Sequence, residues 1–191
     1  MYDVAIIGAG PAGASAAIFL AKAGKKTLLI DNGNSITKKA WIKNHYGVMD
    51  IEGPQLVDVG LEQAKKFGAE FKSDEVTAIE EHNDHYVVKM GQHNYETRHI
   101  IFATGLSVKL AEKFGVEIVD GEEPRIAKNI KTDEQGRTNK KNIWAAGTVA
   151  GKSVHTIITA GHGAEVAINL ISELNGERYV DHDILDSKPK K

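Results

Sequence analysis

Three glycines, Gly8, Gly10 and Gly13, follow an apolar run in the pattern Gly-Ala-Gly-Pro-Ala-Gly, and an acid, Asp31, lies 18 residues beyond the last of them. This set suits binding of a dinucleotide. Gly8 allows a tight turn, Gly10 lets the backbone approach a diphosphate, and Gly13 lets a helix pack closely on a strand. The carboxylate of Asp31 can accept from ribose hydroxyls, and its charge disfavours a 2′-phosphate. The diphosphate itself would rest on a helix N-terminus, where free N–H groups and the helix dipole favour an anion.

Glycines also serve plain turns, so the elements around them decide the matter. Residues 3–8 (DVAIIG) read as a strand buried on both faces, residues 14–24 as a small-residue helix ending at Gly24, and residues 26–31 (KTLLID) as a second strand. Strand, glycine loop, helix, strand and acid fall in the order of a complete βαβ unit. Residues 32–53 are turn-rich and aromatic without a clean period, and read as a long loop over the end of the sheet. Residues 54–70 space Leu56, Val59, Leu61, Ala64 and Phe67 as a helix, with Pro54 near its start and Gly68 at its end. Short strands follow over 70–102, with a hairpin about Gly91 and a separate buried strand HIIFATG. Near the C-terminus, NIWAAG reads as another buried strand, and a helix begins at His155 or Thr156.

The histidines invite other chemistry. His82, His85, His93 and His99 fall among alternating strands, which would scatter them; they read as surface residues, and no metal site is expected. His155 could donate a proton as a catalytic residue, but nothing in the sequence supplies a partner to tune it, and the preferred reading is a residue packed at a helix start. His162 reads as a packing or dimer-surface residue, and Trp41 and Trp144 as core or loop anchors. The chain has no cysteine, which excludes thiol nucleophiles, thiolate metal sites and a redox-active dithiol within it. A net charge of -2 offers no electrostatic reason for a nucleic acid or an anionic membrane as partner. No apolar run reaches the ~20 residues of a membrane span, and the N-terminus lacks the pattern of a secretory signal, so a cytoplasmic location is expected. The 191 residues suit one domain, here residues 1–180, with a solvated tail over 181–191.

Residues 2–31, the segment 43–70 (KNHYGVMDIEGPQLVDVGLEQAKKFGAE), the HIIFATG strand, the stretch 132–149 ending NIWAAGTV and the final helix match a known family in order. The chain resembles the thioredoxin reductase-like branch of the two-dinucleotide flavoprotein reductases, within the pyridine nucleotide-disulphide oxidoreductase superfamily. The resemblance implies a three-layer, Rossmann-like α/β fold with a central parallel sheet and a small antiparallel crossover sheet, and FAD as cofactor. It implies cofactor contacts from Gly8, Gly10, Pro11, Ala12, Gly13, Asp31, Asn32, Asn44, Val76, Thr104, Gly105, Gly147, Thr148, His155, Thr156 and Ile157. Relatives pair through their FAD domains, so a homodimer is expected.

Three departures shape the functional expectation. Only residues 106–141 separate Gly105 from Asn142, too few for the NAD(P)H domain that relatives insert there. The Cys-x-x-Cys of that inserted domain is missing with it. The acid that follows the glycine of the Ala-Gly-Asp-Val motif is Thr148 here, which replaces a charge-assisted hydrogen bond by a weaker one. Two readings result: an FAD oxidoreductase fed by free NAD(P)H or a partner protein and not reducing thioredoxin by dithiol exchange, or a non-catalytic flavin- or nucleotide-binding regulatory module.

Overall fold

A computed structural model describes residues 1–184. Strand β1 (Tyr2–Ile7) leads through the glycine turn into α1 (Pro11–Lys22) and returns as β2 (Thr27–Asp31). A 3-10 turn (Ile36–Lys39), the short strands β3 (Trp41–Ile42) and β4 (Ile51–Glu52), and α2 (Gly53–Lys66) come next. Four strands follow: β5 (Glu70–Ser73), β6 (Val76–Glu81), β7 (Tyr86–Met90) and β8 (His93–Phe102). The chain ends with α3 (Lys109–Lys113), β9 (Ile118–Asp120), β10 (Lys128–Ile130), β11 (Ile143–Ala145), a second 3-10 turn (Gly147–Ala150) and α4 (Thr156–Asn175).

Strands β5, β2, β1, β8 and β11 run parallel in that spatial order, and β6 and β7 continue antiparallel from β8. The two parts share β8. Its first half, residues 93–97, pairs with β7, and its second half, 97–102, pairs with β1. The sequence suggests two segments here; the structure makes one ten-residue strand that joins the antiparallel and parallel parts of a single seven-stranded sheet.

Period-two alternation divides the central strands between two cores. Val4 and Ile6 of β1, Leu29, Ile101 and Trp144 face α1 and α4, while Ala5, Ile7, Leu28, Ile100 and Phe102 face β6, β7 and α3. Each such fully buried aliphatic side chain contributes about 1.5–3 kcal/mol over exposure. The result is three layers: helices, parallel sheet, and the antiparallel crossover with α3.

Helix α1 is built from alanines because two neighbours crowd it. A Cβ on Gly13 would lie 1.8 Å from the Gly8 carbonyl oxygen, and one on Gly163 of α4 would lie 2.0 Å from the Ala12 carbonyl oxygen. The long loop after β2 holds more order than its sequence suggests, since Trp41 and Ile42 pair antiparallel with Glu52 and Ile51. Trp41 is exposed with Lys43 above its ring, so it anchors nothing, whereas Trp144 is buried under Arg137. His82 and His85 stack on one another at the hairpin end and His93 is exposed. His99 is the exception to the expected surface set: it is buried beside Val4 on β8, and its Nδ1 has no hydrogen-bond partner among the described residues. Of the expected tail, Asp181 and Asp183 both pair with Lys22, and residues 185–191 lie outside the described residues.

Candidate functional site

At the C-terminal edge of the parallel strands, where the chain turns out of the sheet, lies an open groove of about 310 Å³. It starts where β1, β2, β8 and β11 end, as Ile7, Gly8, Asp31, Ala103, Thr104 and Ala146 all line it. Parallel α/β sheets bind ligands at such strand ends because helix N-termini and connecting loops converge there.

The glycine turn has a defined geometry. Gly8 adopts φ +106°, and a Cβ there would stand 2.3 Å from the Ala103 carbonyl oxygen. Gly10 is different in kind. Its backbone, φ -67° and ψ -175°, is open to any residue, and a Cβ there would meet only the Ser35 hydroxyl at 3.2 Å. Its lack of a side chain keeps the groove open. No side chain caps α1, Pro11 occupies its first turn, and the first-turn N–H groups have no intrahelical acceptor.

Asp31 at the end of β2 is already engaged. Its Oδ1 accepts the Ala9 N–H at 2.8 Å and its Oδ2 the Gly33 N–H at 2.9 Å. Each carboxylate oxygen retains a lone pair, so the residue both shapes the glycine turn and can still accept from a ligand hydroxyl. Asp31, Asp74 and Glu75 line the groove, and among the described residues no lysine or arginine does. An anionic group placed here therefore depends on backbone N–H groups and the α1 dipole, not on a counter-ion.

Of the residues predicted to touch the cofactor, Gly8, Gly10, Pro11, Ala12, Asp31, Asn32, Val76, Thr104, Gly105 and Thr148 line the groove. Gly13 stands behind it, wedged against Gly8. Gly147 is also behind the wall; it adopts φ +78°, and a Cβ on it would lie 2.6 Å from Ala12 Cβ. Asn44, His155, Thr156 and Ile157 do not line the groove. Asn44 is exposed on the β3–β4 connection, because the short β3–β4 pairing carries that segment outward. His155 is the exposed residue preceding α4, with Nδ1 2.8 Å from the Ser153 hydroxyl. Thr156 is buried and bonded to His45 Nδ1 at 2.9 Å, and Ile157 points to solvent.

Residues missed by sequence reasoning include Ser35 and Thr37, Asp74 and Glu75, Ser107, Val154 and Thr159. Ser35 and Thr37 carried a signal, being hydroxyl residues a few positions beyond Asp31. Thr159 is set by the pitch of α4, which sequence does not orient. His162, read as a packing or surface residue, is buried, and its Nδ1 accepts the Gly147 N–H at 3.0 Å. Burial pushes its pKa down to about 4, and Lys152 adds to the effect.

Known proteins match this arrangement. The family described as pyridine nucleotide-disulphide oxidoreductase matches residues 2–123. Thioredoxin reductase of Bacillus subtilis is 38% identical over 119 residues, which are 61% of this chain and 37% of that protein. The Listeria monocytogenes thioredoxin reductase is 36% identical over 124 residues, 63% of this chain and 39% of its own. The chain thus spans well under half the length of these relatives. Among solved structures, a thioredoxin reductase from Gloeobacter violaceus superposes with TM-score 0.79 at 16% identity, over 96% of this chain and 98% of the other. A ferredoxin-flavin thioredoxin reductase from Clostridium acetobutylicum gives 0.73 at 20% identity, over 92% and 98%. At such identities these superpositions establish the fold.

FAD is the cofactor of this family. The residues present suit it: an uncapped helix N-terminus, an approach at Gly10 that no Cβ fills, and an acid at the end of β2. Among the described residues, no helix is long and apolar enough to cross a membrane, and no three His, Cys, Asp or Glu side chains gather as metal ligands.

Proposed function

The chain belongs to the pyridine nucleotide-disulphide oxidoreductase family, and from that premise we propose an FAD-dependent oxidoreductase domain whose electrons come from an external donor, free NAD(P)H or a partner redox protein. Bound FAD supplies a two-electron acceptor able to pass electrons on singly or in pairs. The carrying observation is the groove at the strand ends, with Gly10 open and α1 uncapped. In this reading Gly8, Gly10, Pro11, Ala12 and Gly13 hold the diphosphate, Asp31 and Asn32 the adenosine ribose, and Val76, Thr104 and Gly105 the middle of the ligand. Thr148 serves the ribityl chain, and Asn44, His155, Thr156 and Ile157, which lie outside the groove, are assigned no contact.

The external donor is supported by the return from β8 to β11. Residues 106–141 form α3 and the β9–β10 ribbon and contain no second glycine fingerprint. With no cysteine in the chain, these residues cannot carry dithiol exchange, so the domain is proposed not to reduce thioredoxin in that way. The family resemblance also supports a cytoplasmic homodimer.

The test is direct. Purified protein is titrated with FAD and then treated anaerobically with NADH or NADPH. Flavin uptake with bleaching by either nucleotide identifies a direct donor; uptake without bleaching assigns a partner protein. Protein that takes up no FAD overturns the reading. Thr148 favours a second reading, a flavin-sensing module without turnover, because a hydroxyl replaces the acid expected in the groove wall. A flavin that no acceptor reoxidises faster than oxygen does would select that module.

A further inference from the structure

The turn that presents Thr148 to the groove is gripped by two buried polar side chains. From β10, Asn129 donates Nδ2–H to the Thr148 carbonyl at 2.8 Å. From the second turn of α4, His162 accepts the Gly147 N–H at 3.0 Å. Neither side chain lines the groove. We propose that His162 is the positioning residue of the cofactor groove, setting through Gly147 the turn on which Thr148 meets the ligand. This rests on the FAD reading of the groove.

The surroundings leave the Gly147 N–H no evident substitute. Gly147 is pressed on Ala12, where an added Cβ would lie at 2.6 Å, and Thr159 closes its other side. The residue after His162 is Gly163, whose missing Cβ lets α4 rest on the Ala12 backbone. Helix α4 is thereby held against α1 and cannot slide to offer another acceptor. A hydrogen bond received at Nδ1 requires that nitrogen to be unprotonated, so the working form is the neutral ring with its proton on Nε2.

The electrostatic setting agrees. Residues 11–21 of α1 and residues 147–151 of the turn carry no charge. On β10, Lys128 is neutralised by Glu112. Glu165 lies on α4 itself, but the charge that acts on the ring is Lys152, of the same sign as an imidazolium. A protonated ring would turn a donor toward the Gly147 N–H, and the turn would have to move.

The experiment uses the whole chain, FAD as probe, and two variants. Asn at 162 places an amide oxygen near the position of Nδ1, and Leu fills similar space with no acceptor. His162→Leu is expected to weaken FAD binding about tenfold, the usual consequence of losing one buried hydrogen bond. His162→Asn is expected to stay within about threefold of wild type. In protein free of FAD, ¹⁵N-histidine spectra at pH 7 should show His162 protonated at Nε2 alone, and the Gly147 amide should exchange slowly in wild type and the Asn variant. Equal FAD affinity in folded His162→Leu, an Asn variant as weak as Leu, or a ring protonated at Nδ1 would each overturn the inference. If the Leu variant does not fold, the Asn variant and the spectra still decide. Failure of wild type to bind FAD overturns the functional reading instead, while the tautomer and the Gly147 exchange go on testing the clamp.

Discussion

Gly10 and Gly13 belong to one motif, yet replacing each by alanine should break different things. In Gly13→Ala the new Cβ falls 1.8 Å from the Gly8 carbonyl oxygen. Reaching the 3.0 Å limit of real Cβ contacts means moving α1 about 1.2 Å off β1, and α4 resists because Gly163 rests on Ala12. Overpacking of this kind costs about 1–3 kcal/mol, and two backbone-to-backbone contacts put this case at the upper end. For a chain of this size, that lowers Tm by roughly 6–12 °C. In Gly10→Ala the Cβ meets only the Ser35 hydroxyl at 3.2 Å, and the backbone angles already suit alanine. Stability should stay within about 0.5 kcal/mol of wild type. The methyl group instead enters the space a diphosphate would use, so FAD affinity should fall by roughly tenfold or more, the binding equivalent of overpacking. Differential scanning fluorimetry without FAD and a flavin-fluorescence titration measure the two quantities separately. A stability loss in Gly10→Ala equal to that in Gly13→Ala, or FAD affinity unchanged in Gly10→Ala, refutes the distinction.

Other expectations are brief. Thr148→Asp should tighten FAD by about tenfold if residue 148 meets the ribityl chain, as one charge-assisted bond replaces a neutral one; an unchanged Kd would remove Thr148 from that role. Gly163→Ala should destabilise the fold, since its Cβ would lie 2.0 Å from the Ala12 carbonyl oxygen, whereas Gly161→Ala on the same helix meets nothing within 4 Å and should gain about 0.5–1 kcal/mol. Chemical denaturation of the pair checks both signs. His162 and His99 both have pKa values lowered chiefly by burial, so the unfolded chain binds their protons first. The stability from His162 is then fully present above the ordinary value of 6.5 and is lost as pH falls toward about 4, about 3 kcal/mol in all, and His99 acts in the same direction. Urea midpoints between pH 7.5 and 4.5 should fall for wild type and fall less for His162→Asn; equal slopes would contradict the buried neutral ring.

The βαβ unit is legible in the sequence alone, because tight turns, close helix packing and an acid at a strand end are local demands with few residue solutions. Gly8, Gly10, Gly13 and Asp31 are therefore legible without coordinates, and so is the lack of room for a second dinucleotide domain in residues 106–141. Pairing and orientation are settled only in the folded chain. A glycine pattern cannot say that β8 is one strand serving two partners, since both halves have strand character whichever neighbour they meet. It cannot say that Asp31 also braces the glycine turn through Ala9, or that Asn44 lies outside the groove. It separates Gly10, which leaves the groove open, from Gly13, which keeps space for a backbone, only when the atoms opposite each are known. His162 makes the point most plainly. As one histidine in a small-residue helix it reads as packing, and only the meeting of α4 with the turn after β11 turns its ring nitrogen toward the Gly147 N–H.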